Sequence, residues 1–219
     1  MAFDFSNTRF SLRRNPLSYA RVRTALGPIL RRVHFKFPKD GDYLNVGAGW
    51  EGHKDFFNID WQMHDGVDMV ADICRPLSIK SGIASGLFTE HCLEHIPLER
   101  AHFALTEFFR VLKPGAPIRV VVPDGEIYLD NYIRKQPLPY AEGDSFLQQY
   151  TPMLSVNRIF RAHGHLFIYD FETMSLLLRD AGFVDIRKES FGHGRDPKLL
   201  IDKATRAVES LYVEATKPA

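Results

Sequence analysis

Two glycines and an aspartate follow or end predicted strands, at positions where they could bind a small molecule. Gly47 and Gly49 follow the short apolar run Tyr43–Val46, and Asp60 ends a second run that begins at Phe57. Because glycine has no Cβ, the backbone N–H groups of such a turn can approach a ligand closely. A carboxylate at the next strand tip can accept hydrogen bonds from the hydroxyls of a ribose. The pattern predicts a nucleoside-binding crevice at the carboxyl ends of parallel strands.

The spacing of this pattern argues against a nicotinamide dinucleotide. The letters from Gly47 to Gly52 match G-x-G-x-x-G, whose acid normally follows about 20 residues further on, after a complete helix. Only seven residues separate Gly52 from Asp60. A turn must therefore replace the helix.

A second set of residues matches the sequence motif of a metal-binding site. His91, Glu94 and His95 match H-x-x-E-H, the motif of inverted zinc proteases, in which the two histidines share one helical face. The segment directly follows a predicted strand and reaches Pro97 after scarcely more than one helical turn. A zinc-protease helix is longer, so a protease is kept only as a remote alternative and no metal is predicted.

Composition predicts a soluble, cytoplasmic protein. The chain has 219 residues and a mass of 25.1 kDa, with 45% hydrophobic and 25% charged residues, which fits one domain with a sizeable core. Cys74 and Cys92 are too few for a disulfide framework or a zinc ribbon. No apolar run approaches the roughly 18 residues of a membrane span, and no signal-peptide apolar region is seen.

Residues 1–40 are predicted to form a basic extension, and residues 41–219 the main domain. The extension has seven arginines and two lysines against two aspartates. Residues 16–35 show an amphipathic helical pattern broken near Pro28. This helix either contacts an anionic membrane or polyanionic acceptor peripherally, or packs over the sheet with solvated arginines. Nucleic acid is not an expected partner, because neither an aromatic-interleaved strand pair nor a recognition helix is seen.

Strands and helices alternate through the main domain, which predicts a Rossmann-like α/β fold. The expected architecture is a three-layer sandwich around a mostly parallel seven-stranded sheet. Helices are predicted to begin at Pro97 and after Asp170, the second with Asp170 as its cap. Residues 125–170 show no clean period and are rich in tyrosine, so they are predicted to be an insertion on the acceptor side of the crevice. The predicted strands are 43–46, 57–60, 66–72, 85–90, 118–123, 183–186 and 211–215.

The run from residue 44 to residue 124 resembles the class I S-adenosylmethionine-dependent methyltransferases. Within them it looks like the small predicted type 11 group linked to polysaccharide and cell-surface glycan synthesis. The resemblance implies S-adenosyl-L-methionine as cofactor and methyl transfer to a small-molecule or glycan-type acceptor, at oxygen. A non-catalytic scaffold with the same fold is the alternative. The matching segments, in the family's order, are 44–49, 57–60, 66–72, 91–96, 107–115 and 122–124.

The resemblance also implies which residues bind the methionine and ribose parts of the cofactor. Gly47 and Gly49 would face the methionine part. Asp60 would take the ribose hydroxyls, with Trp61 beside the adenine ring. Asn45 is included in the predicted cofactor site, although it stands where many of these enzymes carry an acid. Recognition of the cofactor's amino group would then rest elsewhere.

At the adenine and sulfonium ends, the resemblance points to the tips of the third and fourth strands. Asp72 would accept from the exocyclic adenine amine, with Ile73 alongside. Glu90 and His91 would border the sulfonium. One departure from the family's usual Lys-Pro-Gly-Gly is Ala116 in place of the second glycine.

Transfer to a hydroxyl requires a group that removes its proton. The candidates are Asp124 at the tip of the fifth strand, and His163 and His165 in the insertion, with His91 as a further possibility. The alternatives are a turn cap for Asp124 and surface or core positions for the histidines. In the methyltransferase interpretation, Glu94 supports the loop after the fourth strand.

Overall fold

The computed structural model describes residues 36–50, 52–136 and 151–219. The predicted amphipathic helix at residues 16–35 lies outside these residues, as do residues 137–150 of the predicted insertion. None of the helices in the described ranges combines the length and apolar character needed to cross a bilayer.

Seven strands and four α-helices form from the described residues. The strands are β1 (Tyr43–Val46), β2 (Phe57–Asp60), β3 (Met69–Val70), β4 (Gly86–Glu90), β5 (Pro117–Pro123), β6 (Val184–Glu189) and β7 (Ser210–Thr216). The helices are α1 (Leu98–Val111), α2 (Gly125–Arg134), α3 (Pro152–Arg161) and α4 (Phe171–Asp180).

The strands form one sheet in the order β3-β2-β1-β4-β5-β7-β6. The first five strands are parallel, and β7 runs antiparallel to its neighbours β5 and β6. The predicted seven-stranded, mostly parallel sheet is therefore confirmed, with one antiparallel strand making it mixed. The order of the first five strands is that of the Rossmann fold, so the strand order reverses between β1 and β4.

Helices α1 and α4 cover one face of the sheet. The apolar stripe of α1, with Ala101, Leu105 and Phe108, is fully buried against the strands, as its spacing predicts. The predicted cap of α4 is also observed, since an Asp170 carboxylate oxygen accepts from the Thr173 N–H at 2.8 Å. This layer is the main hydrophobic core.

The predicted three-layer sandwich stays a prediction, because residues 16–35 lie outside the described ranges. The second face of the sheet is opposite to α1 and α4. In the described ranges it is covered by residues 190–206, which contain two short 3₁₀ turns at Pro197–Leu199 and Ala204–Arg206. Leu199 is buried there beside Phe88 and Tyr212. The described residues of the connection from β1 to β2 form turns, as its short length predicts.

The predicted insertion is more regular than its sequence suggests. Residues 125–170 contain α2 and α3, which pack together through Tyr128 and Ile159. Both helices are ten residues long. Short helices repeat an apolar position only two or three times, which explains why no clear period is visible in the sequence.

A buried asparagine on β2 organises the short β1–β2 connection. The Asn58 Oδ1 accepts from Asn45 Nδ2 at 2.9 Å and from the His53 N–H at 2.8 Å. Its Nδ2 donates to the carbonyls of His53 and Phe56 at 2.9 and 3.1 Å. One side chain thus replaces the hydrogen bonding that a helix would have supplied.

Replacing Asn58 with alanine should lower the free energy of unfolding by about 2–4 kcal/mol. The change leaves the buried Asn45 amide and the loop backbone groups without a partner, and each buried unsatisfied group costs roughly 1–3 kcal/mol. Urea denaturation measures the loss. Asn157→Ala is the matched control, because Asn157 is exposed and donates only to the Met153 carbonyl within α3. Equal small losses in both variants would contradict this role.

Candidate functional site

The glycine turn after β1 lies at the carboxyl edge of the sheet, where the strand order reverses. Gly47 and Gly49 both have left-handed backbones, with φ of +77° and +69°. A Cβ on Gly47 would lie 2.7 Å from the Cβ of Cys92, so the turn packs directly against the segment after β4. A Cβ on Gly49 would meet no atom of the described residues within 4 Å. The turn therefore has a packed side and an open side.

Asp60 joins this turn to the tip of β2. Its Oδ2 accepts from the Gly49 N–H at 2.9 Å, and its Oδ1 accepts from the Gln62 N–H at 2.8 Å. Each carboxylate oxygen can accept a second hydrogen bond. The structure thus brings the predicted glycine turn and the predicted acid together.

The predicted adenine-side residues follow along the same edge. Trp61 is next to Asp60 and is 49% exposed. Asp72 follows β3, which hydrogen-bonds to β2 through the Ala71 N–H and the Asp60 carbonyl at 2.9 Å. The Asp72 Oδ1 accepts from the Cys74 N–H at 3.0 Å, and Ile73 packs against the core.

Asn45 occupies a different position. It is 6% exposed and its amide donates to Asn58. The structure therefore gives this predicted cofactor residue a supporting role beneath the β1–β2 connection.

At the tip of β4, Glu90 and His91 point to different partners. Glu90 is buried and its Oε1 accepts from the Lys203 N–H at 3.0 Å, which ties β4 to the segment over the opposite face. Burial raises the pKa of Glu90. His91 has a left-handed backbone, with φ of +49°, and its Nε2 is 2.8 Å from the Ser210 Oγ. Burial lowers the pKa of His91 to about 2, so its ring is neutral.

Asp124 is the N-cap of α2, which agrees with the alternative role predicted for it. It is 1% exposed, begins α2, and accepts from the Glu126 N–H at 3.0 Å. The Lys188 Nζ lies 3.5 Å from its other oxygen. Burial raises the pKa of Asp124.

The two histidines of the insertion lie beside the segment after β4. The His165 ring centroid is 5.0 Å from that of His95 and 5.8 Å from that of His163. The His165 Nδ1 is 2.7 Å from the Ile159 carbonyl oxygen, and burial lowers the pKa of this ring. His163 is exposed on a left-handed turn, with φ of +57°.

Glu94 has surroundings that its predicted role, support of the loop after the fourth strand, does not explain. Its side chain is fully buried, and neither carboxylate oxygen has a hydrogen-bond partner among the described residues. Its Oε1 lies 3.6 Å from His91 Nδ1 and 3.7 Å from His95 Nε2. Burial raises the pKa of Glu94 to about 8 and lowers that of His95 to about 4. In the sequence, the H-x-x-E-H motif was the pattern that pointed to this cluster of His91, Glu94 and His95.

The long helix of an inverted zinc protease is not formed around these letters. Leu93–His95 is a single 3₁₀ turn of three residues. His91 precedes it with a left-handed backbone. The histidines therefore approach Glu94 through a loop, and the protease alternative loses its structural basis.

Comparison with known proteins gives a likeness of fold. Neither a protein-family model nor a curated protein sequence matches the chain. A SAM-dependent methyltransferase from Archaeoglobus fulgidus is 16% identical, with a TM-score of 0.49 over 89% of this chain and 94% of that one. A methyltransferase described as putative from Bacillus halodurans is 13% identical, with a TM-score of 0.49 over 88% and 99%.

A third similar structure is larger. Phosphoethanolamine N-methyltransferase 2 from Haemonchus contortus, solved with S-adenosyl-L-methionine, is 13% identical, with a TM-score of 0.46. The match covers 89% of this chain and 53% of that one, so the chain spans about half its length. The type 11 subgroup stays a prediction, because no family model matches.

Proposed function

We propose that this chain is an S-adenosyl-L-methionine-dependent methyltransferase that methylates an oxygen of a small-molecule or glycan-type acceptor. The observation that carries the proposal is the link between Gly49 and Asp60 at the switch point of the sheet. Ligands of open α/β sheets bind in the crevice at such a point. A left-handed glycine and a carboxylate 2.9 Å from its N–H form the wall of that crevice.

The residues along this edge suit an adenosine. Asp60 has a remaining acceptor position on each oxygen for the two ribose hydroxyls. Trp61 offers an exposed aromatic face at the adenine end, near the acid Asp72. The open side of Gly49 leaves room for the methionine part. When bound, the cofactor supplies a methyl group activated by positive sulfur.

The acceptor side is supported by the neighbouring cluster after β4. His91 and His165 have neutral rings that can orient a hydroxyl by hydrogen bonding. Positioning of this kind can contribute on the order of 7–11 kcal/mol to a displacement reaction. A glycan or other polyhydroxyl acceptor fits this polar lining, and residues 125–170 supply α2, α3 and the histidines beside it.

Replacing Asp60 with alanine should weaken binding of S-adenosylhomocysteine by more than about 100-fold. The change removes charge-assisted hydrogen bonds to the ribose, each worth about 1.5–3 kcal/mol. Isothermal titration calorimetry with the full chain measures the affinity. Asp65→Ala is the control, because Asp65 is exposed in the same region. Unchanged affinity in Asp60→Ala would place the ligand elsewhere.

Catalysis is tested with tritium-labelled S-adenosylmethionine and a panel of oligosaccharide and small hydroxyl acceptors. Label transferred by the wild type, and lost in Asp60→Ala, would support a methyltransferase. Binding of S-adenosylhomocysteine without transfer to any acceptor would favour the scaffold alternative. Absence of binding would overturn the proposed function.

A further inference from the structure

We propose that Glu94, His95 and His165 form a binding site for a divalent first-row transition metal such as Zn²⁺. One ligand atom from each residue can be chosen so that all three lie within 4.8 Å of one another. The cluster combines the 3₁₀ turn after β4 with the segment that follows α3. It lies next to His91 and thus borders the acceptor side of the crevice.

The state of Glu94 is the strongest indication of a ligand. Both its carboxylate oxygens are buried and lack a hydrogen-bond partner in the described part of the chain. A buried carboxyl group without a hydrogen-bond partner is costly in either protonation state, and coordination of a metal ion would satisfy it. Ring nitrogens of His91 and His95 lie 3.6 and 3.7 Å from Glu94 Oε1, which is too far for a hydrogen bond.

Those distances suit a shared cation. Zinc–ligand bonds of about 2.0–2.2 Å place two tetrahedral ligand atoms about 3.4 Å apart. The separation of 3.7 Å between Glu94 Oε1 and His95 Nε2 is close to that value. A ring nitrogen of His165 lies within 4.8 Å of a ligand atom of each of these two residues.

The hydrogen bond of His165 also prepares it for a metal. A carbonyl oxygen can only accept, so the 2.7 Å contact with the Ile159 carbonyl places the proton on His165 Nδ1. The lone pair is then on Nε2. Metal-binding histidines almost always donate their other ring N–H to a carbonyl or carboxylate in this way.

The donor set indicates the class of metal. Two imidazoles and one carboxylate are the ligands of His₂Glu zinc enzymes and resemble the facial triad of ferrous enzymes. Ca²⁺ and Mg²⁺ prefer sites made of oxygen atoms. Three protein ligands leave one or more positions for a substrate oxygen.

A role for this metal rests on the proposed function. An acceptor hydroxyl bound to the cation would be more acidic and would lose its proton to water. Its oxygen would then bond to the methyl carbon as the carbon–sulfur bond breaks. The products are the methylated acceptor, S-adenosylhomocysteine and one released proton.

The test uses the full chain, stripped with EDTA and dialysed, and titrated with ZnCl₂, MnCl₂ and MgCl₂ by calorimetry. We expect one Zn²⁺ per chain, with MgCl₂ giving much weaker binding. His95→Ala and His165→Ala should each weaken Zn²⁺ binding more than about 100-fold, because loss of outer-shell partners alone costs 10–100-fold. His193→Ala should bind like the wild type, since His193 is exposed on the segment over the opposite face. Thermal melts show which variants are folded.

A spectroscopic measurement guards against adventitious zinc. Co²⁺ bound by the wild type should give visible absorption bands that are absent in His165→Ala. Absence of stoichiometric Zn²⁺ binding, or equal affinity in wild type, His95→Ala and His165→Ala, would overturn the metal site. S-adenosylhomocysteine binding is measured on the same preparations. Cofactor binding without metal binding contradicts only the metal site, whereas metal binding without cofactor binding contradicts only the proposed function.

Discussion

Replacing Arg119 with methionine is expected to lower the melting temperature by about 6–20 °C. Arg119 on β5 is fully buried, and its guanidinium pairs with Asp202 at 2.6 Å and Glu214 at 2.8 Å. It also donates to the carbonyls of His193 and Ser190 at 2.9 and 3.0 Å. Removing one partner of a buried ion pair costs about 3–5 kcal/mol, and each kcal/mol shifts the melting temperature of a chain this long by about 2–4 °C.

The melting temperature falls this far because two carboxylates, those of Asp202 and Glu214, are left buried without the cation that pairs with them. Removing the charges together, in Arg119→Met with Asp202→Asn and Glu214→Gln, should recover part of the stability. Arg187→Met is the control, because Arg187 pairs with Asp185 on an exposed surface and such pairs are worth about 0–1 kcal/mol. Similar melting temperatures for Arg119→Met and Arg187→Met, by differential scanning calorimetry, would contradict this account.

Replacing Gly47 with alanine is expected to abolish measurable cofactor binding and to destabilise the chain by about 2–5 kcal/mol. The left-handed backbone costs a non-glycine residue about 1–2 kcal/mol. The added methyl would also lie 2.7 Å from the Cβ and 2.8 Å from the Sγ of Cys92. Because that overlap involves the base of the Cys92 side chain, the glycine turn must move, and overpacking of this kind costs about 1–3 kcal/mol.

Gly82→Ala is the control that separates the cost of backbone strain from the cost of the steric overlap with Cys92. Gly82 has a φ of +68°, and a Cβ there would meet nothing within 4 Å in the described part of the chain. The Gly82→Ala variant should lose only about 1–2 kcal/mol of unfolding free energy and keep its affinity for S-adenosylhomocysteine. Urea denaturation and calorimetry are measured on both variants. If Gly47→Ala retained wild-type affinity, the glycine turn would not be part of the cofactor site.

The features that could be predicted from sequence are those that depend on local patterns. Apolar runs ending in glycine or acid located the strands around the crevice, and the short distance from Gly49 to Asp60 excluded a helix between them. The spacing of Ala101 and Leu105 identified the buried face of α1. Asp170 was recognisable as a cap because capping is settled within four residues.

The features that were missed depend on partners distant in sequence. Arg119 looks like a solvent-facing residue within an apolar strand, yet its partner Asp202 is 83 residues further along. Glu94 was assigned to loop support because the approach of His165 can be seen only after folding. The covering of the opposite sheet face by residues 190–206 was missed for a similar reason, since these residues have no periodic pattern that would show it.

The position of β7 has a consequence for synthesis of the protein. In the described sheet β7 separates β5 from β6, although it follows both of them in the sequence. Until residues 210–216 emerge, β5 would present an unpaired edge rich in valine, with β6 waiting beside it. Such edges recruit other chains. A nascent chain paused before residue 210 should therefore depend on chaperones far more than one in which residues 210–216 have emerged.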